Sequence, residues 1–331
     1  MQIQRIEFMR KTACFILFCV GLLSCKNKEA VLESSTGDAN QVTIIIEDAL
    51  WNGEVGDSLR KKLTVPVEGL PQEEPLFSLL QHIDRSGDDD FCKNRNIIIV
   101  EKSTEKFFEV RNNDFALNQN VIYLSGRNIP EILELIEQKS DSVINIIADF
   151  EIRETQQKIA LSSLDIPEIR SKFGIRLNIP NDYEYVAEDK KFVWLKKENQ
   201  NGSSSLLIYQ VPYFEYPSDS ENINRIISVR DSIGECYIQS QEDKKSAYMM
   251  TEKAYSPYFA TTTLAGRKTF KTKGTWELKG IFMSGPFLNY AISDKQNNRF
   301  IIVEGFIYAP SSSKRNMMHE LEAIIKSIKI D

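Results

Sequence analysis

Phe287-Leu288-Asn289-Tyr290-Ala291-Ile292 and Arg299-Phe300-Ile301-Ile302-Val303-Glu304-Gly305-Phe306-Ile307-Tyr308 decide the reading of this chain. Both are rich in β-branched and aromatic residues, and the Asp294-to-Asn298 stretch between them is polar, so they read as successive strands. After Pro310, Met318, Leu321, Ile325 and Ile328 recur at helical spacing and form one apolar stripe. Working backward, Tyr248 to Glu252, Phe259 to Phe270 and Thr275 to Leu278 read as further strands. A helix is expected over Asn222 to Ile233, with Ile223, Ile226, Ile227 and Arg230 on one face and Gly234 as its terminating glycine. Before it lie Ile175 to Ile179, Phe192 to Leu195 and Leu206 to Tyr209. Three strands, a helix, a run of strands and a helix predict an α+β unit over 172–331. Its antiparallel sheet is expected to carry helices on one side, in a sandwich like the Mog1/PsbP fold.

Residues 42–160 read as a separate, smaller α/β or α+β unit. Val42 to Ile46, Asn96 to Val100 and Asn120 to Leu124 are continuous apolar runs, as buried strands are. A helix is expected over Val55 to Leu63. A longer one starts near Pro130 and presents Ile132, Ile136, Val143, Ile147 and Phe150 on one face. A polar segment around Gln156 to Leu164 is expected to join the two units.

The N-terminus carries an address. Arg5, Arg10 and Lys11 precede the short apolar run Cys14 to Leu23, too short to span a bilayer as a helix. Residues 1–24 read as a signal peptide. Leu22-Leu23-Ser24-Cys25 resembles the lipobox of bacterial lipoproteins, which implies lipid on Cys25 and a membrane-tethered mature chain. Residues 25–41 read as that lipidated cysteine and a flexible tether with a reach on the order of 20 Å. Lys26-Asn27-Lys28-Glu29 lacks an acidic cluster, so the body is expected at the outer membrane, facing the periplasm.

Loss of residues 1–24 takes the net charge from −6 to −8. An acidic chain argues against nucleic acid, whose binders need a basic footprint. Only Cys92 and Cys236 remain beyond the tether, and they read as separate small hydrophobes. With His82 and His319 scattered, no spacing points to a metal, and no glycine-rich loop points to a nucleotide cofactor.

Asp48 and Trp51 are the ligand-site candidates, because they follow the first strand and lead into a helix through Asn52-Gly53. The bland reading makes Asp48 a turn residue and Trp51 a core lid. Asp88-Asp89-Asp90 lacks calcium-loop spacing and reads as a solvated loop. Tyr209, Tyr213, Phe214 and Tyr216 form an aromatic cluster, more consistent with an ordinary strand than with a sugar platform. His319 reads as a surface or boundary residue. No nucleophile motif accompanies either histidine.

Several segments together resemble the domain-of-unknown-function 4837 family, uncharacterised lipoproteins of Bacteroidota. These are Glu47 to Gly53, Arg95 to Val100, Arg230-Asp231-Ser232-Ile233-Gly234, Gly285-Pro286-Phe287 and Val303 to Pro310. The resemblance is expected to cover nearly all of the mature chain. It implies the lipoprotein address and no activity. The chain therefore reads as an envelope binding or assembly module whose partners are envelope proteins or the cell wall. The alternative is an envelope polymer hydrolase using carboxylates as acid and base.

Overall fold

The apolar runs of the first half pair into one sheet. The computed structural model describes residues 32–83, 90–242 and 245–331. Strands β1 (Gln41–Ile46), β3 (Asn96–Lys102) and β5 (Asn120–Gly126) are parallel neighbours, with Thr43 opposite Ile97 and Ile98 opposite Ile122. Two edge strands flank them, β2 (Ser78–His82) parallel to β1 and β4 (Phe107–Asn112) antiparallel to β5. Helix α1 (Asp48–Trp51) is a single turn. Helix α2 (Glu54–Leu63) and helix α3 (Ile129–Ala160) bury their stripes on one face of this sheet, against Ile44, Ile98, Ile122 and Leu124. Each such fully buried aliphatic side chain stabilises by about 1.5–3 kcal/mol before entropy is counted.

The start of α3 follows from its sequence. The Asn128 side chain caps the Glu131 N–H at 3.0 Å, and Pro130 sits in the first turn, where no N–H partner is lost. At 32 residues α3 is about 48 Å long, far more than one small sheet needs. Its last turns serve the second unit. Ile159 lies in the second unit's core, and Gln156 donates to the Ala323 carbonyl at 3.0 Å. The segment expected as a polar connector, Gln156 to Leu164, is therefore helical as far as Ala160.

The second sheet has nine antiparallel strands. Its order is β10 (Gln239–Glu242), β11 (Lys245–Thr251), β13 (Arg267–Leu278), β14 (Ser284–Asp294), β15 (Arg299–Tyr308), β9 (Gly202–Pro212), β8 (Phe192–Asn199), β7 (Glu184–Asp189). Strand β12 (Tyr258–Leu264) shares the β13 edge with β11. The stretch Phe259 to Phe270, expected as one strand, is a hairpin instead. It turns at Ala265-Gly266, whose φ values are +49° and +72°. Positive φ at both central residues is the type I′ geometry that matches strand twist.

Alternation along the strands divides the side chains between two faces. Val193, Leu206, Ile208, Ile301 and Val303 meet helix α4 (Pro167–Phe173) and helix α6 (Arg315–Lys326). Phe192, Leu207, Phe300, Ile302 and Phe306 meet helix α5 (Asp219–Tyr237). The α+β class and the antiparallel sheet are as the sequence predicts, but its helices cover both faces rather than one side. A two-stranded clip of β6 (Ile175–Arg176) and β16 (Lys329–Ile330) closes the chain. Helix α5 runs past the expected stop at Gly234 to Tyr237. Gly234 is there for packing, since a Cβ would stand 2.1 Å from the Met249 carbonyl oxygen.

The tether expected over 25–41 is shorter than that span. Ser35 N–H donates to the Leu117 carbonyl and Thr36 N–H to the Lys93 carbonyl, both at 2.8 Å, so the chain lies against the body from there on.

Candidate functional site

Helix α6 is the element around which a site is built. It has no N-cap side chain of its own, and Lys314 stands at the cap. The cap comes from the other unit. The Glu74 carboxylate accepts from the Lys314 N–H at 2.7 Å, from the Arg315 N–H at 2.9 Å and from the Ser313 hydroxyl. Burial alone would raise the Glu74 pKa, but these bonds outweigh it and hold the carboxyl below its usual value. Arg315 returns the contact, donating to the Pro75 carbonyl at 3.0 Å and to Ser78 Oγ at 3.1 Å. Asn40 reaches Asn316 at 3.2 Å. His319 completes the joint, its Nε2 3.0 Å from Thr155 Oγ1 and 3.3 Å from the Glu151 carbonyl oxygen. Burial holds the His319 pKa below its usual value. The Glu151 carboxylate turns the other way and is sealed by Arg95, Asn96 and the Asn40 N–H.

Between the docked units lies a cleft of about 250 Å³. Its walls come from α3, from the loop before β2, from β13 and β14, and from α6. Leu76, Phe77, Ile152, Leu288 and Met318 form the apolar wall. Lys271 and Lys273, two apart on β13, point to the same face. Glu322 and Lys326, one turn apart on α6, face them. Lys271 Nζ lies 2.7 Å from Glu322 Oε1, and the Tyr290 hydroxyl donates to the same oxygen at 2.6 Å. Glu322 thus stays charged: burial opposes ionisation, but Lys273, Lys271 and Lys326 hold the carboxyl well below the usual range.

A second polar cluster is sealed from solvent. Arg230 on α5 lies with its guanidinium 3.8 Å above the Phe287 ring. Its Nε is 2.9 Å from Glu304 on β15, and its Nη1 donates to Thr251 at 2.9 Å. Asn289 donates to Glu304 at 2.8 Å. Burial raises the Glu304 pKa despite the arginine. Three segments that carry the family resemblance, around Arg230, Phe287 and Glu304, meet in this one buried knot. It locks α5 to the sheet and offers a ligand no access.

The sequence-derived candidates sit elsewhere. Asp48 accepts from Gln81 at 3.1 Å, and Trp51 packs on the first unit's core beneath Arg60, 4.4 Å from its ring. They share one helical turn and do not line the cleft. Cys25, the expected lipid attachment, lies outside the described residues, as do Asp88 and Asp89. Asp90 is exposed beside Lys93. Tyr209 and Phe214 are core residues, Tyr213 stacks on Phe300, and Tyr216 is exposed. His82 stacks on Phe91. Cys92 is buried in the first unit and Cys236 is exposed on α5. No group of metal-ligating side chains occurs among the described residues, nor does any helix long and apolar enough to cross a membrane. Sequence reading missed the cleft residues. Lys271 and Lys273 alternate on a strand and look like a solvated face, and their partner Glu322 lies on a helix that closes the chain. Leu288 and Met318 read from the sequence as core residues and His319 as a surface or boundary one; all three line the cleft.

The sequence model of the domain of unknown function 8532 family matches residues 35–160. Glu47 to Gly53 and Arg95 to Val100 therefore belong to that match, and the 4837 resemblance does not extend over the whole mature chain. No curated protein matches the chain. Among solved structures, the crystal structure of LpqN, described as involved in cell envelope biogenesis of Mycobacterium tuberculosis, is similar to it. That likeness spans 47% of this chain and 82% of that chain, at 10% identity and a TM-score of 0.29. The sequence model of the domain of unknown function 4837 family matches residues 162–327, just over half of the sequence, and the chain belongs to that family.

Proposed function

We propose that the protein is a lipid-tethered binding module of the cell envelope, at the outer membrane and facing the periplasm, which takes a small ligand in the cleft between its two units. The observation that carries this is the cleft itself, where ionisable and apolar side chains from both units face one open space. The signal-like N-terminus and the Leu22-Leu23-Ser24-Cys25 motif support the address. Two acyl chains on Cys25 would anchor durably, at about 0.8 kcal/mol per buried CH₂.

Binding suits the cleft better than hydrolysis does. The Glu151 carbonyl can only accept, so a proton on His319 Nε2 satisfies it and leaves that nitrogen no lone pair to act as a base. A carboxylate-pair hydrolase needs two carboxyl groups flanking its substrate. Glu252 and Glu277 do act on one another, with Glu277 pushed up by burial and by its neighbour. That pair lies at the β11–β13 edge and outside the cleft, whose own carboxyl groups are Glu322, held ionised by its lysines, and the exposed Glu68 and Asp149.

Native mass spectrometry of the full chain, released from its own membranes, tests the reading. A co-purifying small molecule is expected, and Ala148→Trp, which puts a bulky ring on the α3 wall of the cleft, should abolish it. A protein that never carries an adduct, or an adduct that survives Ala148→Trp, overturns the proposal. The anchor is tested separately: Cys25→Ala should end fatty-acid labelling and release the chain from membranes, and continued attachment would refute it.

A further inference from the structure

We infer that the ligand of this cleft carries a phosphate-type dianion, bound between Lys271, Lys273 and Lys326. The inference rests on the cleft being the binding site.

Three ammonium groups surround one carboxylate. Lys271 Nζ is 2.7 Å, Lys326 Nζ 3.6 Å and Lys273 Nζ 3.8 Å from the Glu322 oxygens. Three positive charges against one negative leave an excess of two. The Tyr290 hydroxyl and Lys271 both take Glu322 Oε1, while Lys326 and Lys273 stand beyond hydrogen-bond distance of the carboxylate. Lys273 is the least satisfied. Its side chain is only 16% exposed, and among the described residues it has an ion-pair contact with Glu322 at 3.8 Å but no hydrogen bond. Burial, aided by the neighbouring lysines, pulls its pKa below the usual lysine value.

Holding like charges together in a partly desolvated cleft is unfavourable unless an anion joins them. The other carboxylates of the lining, Glu68 and Asp149, are exposed to water and salt, which screen them, although Glu68 still acts on Lys273. Arg315 adds further positive charge at one end, although its guanidinium is committed to Pro75 and Ser78. A dianionic phosphate neutralises the excess of two, and its oxygens accept from several ammonium groups at once. A single carboxylate leaves one charge uncompensated. The apolar wall beside the lysines favours a phosphate borne on a small apolar or ring-shaped body, of a size the cleft of about 250 Å³ admits.

The test uses the full chain in mild detergent at fixed ionic strength and neutral pH, titrated calorimetrically with phenyl phosphate, benzoate and phenyl glucoside. Phenyl phosphate is expected to bind saturably and at least tenfold more tightly than benzoate. Lys273→Gln and, independently, Lys326→Gln should each weaken it tenfold or more. Lys268→Gln, on the same strand but paired with Glu215 outside the cleft, should leave it unchanged. Two variants guard against misfolding of either one. Phosphate binding that ignores both substitutions overturns the inference. Tight binding of benzoate or the glucoside, lost in Ala148→Trp, overturns the dianion and leaves the cleft reading standing. If no probe binds in a way that Ala148→Trp abolishes, both fall.

Discussion

Arg230 is 1% exposed and Glu304 fully buried, so neither charge has water to fall back on. Burying an ion pair is close to neutral overall, but removing one partner leaves a desolvated charge uncompensated. Arg230→Met should therefore cost about 3–5 kcal/mol in urea unfolding, while the double variant Arg230→Met/Glu304→Leu should recover most of that loss. Equal losses in the single and double variants would show that Arg230 matters for its shape rather than its charge. The partners were invisible in the sequence. Arg230-Asp231-Ser232-Ile233-Gly234 and Val303-Glu304-Gly305-Phe306 stood out as resemblances, but nothing local says that a helix arginine meets a strand glutamate. Asp48 and Trp51, which do not line the cleft, show the opposite limit. Their position after a strand was legible, yet their contacts with Gln81 on β2 and Arg60 on α2 were not.

Elements with continuous apolar runs were legible, because burial on both faces leaves a signature that needs no partner to read. That holds for β1, β3, β5 and β15. The edge strands β2 and β4 were not, since each is only partly buried and mixes polar with apolar residues. The β12–β13 turn escaped because Ala265-Gly266 is a weak version of the Asn-Gly signal. Alanine in the left-handed region is strained by about 1–2 kcal/mol, and asparagine tolerates it better. Ala265→Asn should thus raise stability by about 0.5–1 kcal/mol, seen as a higher urea midpoint at unchanged slope. A lower midpoint would mean that the turn needs alanine for another contact. At the α6 cap, Glu74→Gln should cost about 1–2 kcal/mol at pH 7. The sign with pH follows from the lowered Glu74 pKa. Its contribution is full above the unfolded value of about 4.5 and is lost as pH falls through the lower folded value. The gap between wild type and Glu74→Gln in thermal melts should therefore narrow below about pH 4.5 and be constant above it. A gap that widens in acid would contradict the cap.

The molecule as a whole is two large sheets and one shared beam. The first half of α3 belongs to the parallel sheet, while its last turns carry Ile159 and Gln156 into the second unit. The α3–α6 packing, the Glu74 cap, the Arg315 bonds and the half-buried His319 all hold one unit against the other. The family boundaries, 35–160 and 162–327, fall at the end of this helix, yet the physical joint lies along its last turns. Continuity of the chain through residues 161–166 should then be dispensable once the protein has folded. A specific protease site inserted there and cut after folding should leave both halves eluting together in size-exclusion chromatography at low salt and neutral pH. Adding Glu74→Gln with His319→Asp should release them, because the first removes the cap and the second places a charge against the Glu151 carbonyl. Halves that separate on cleavage alone would show the joint to be held mainly by the chain, and the cleft would then close only when a ligand bridges its two walls.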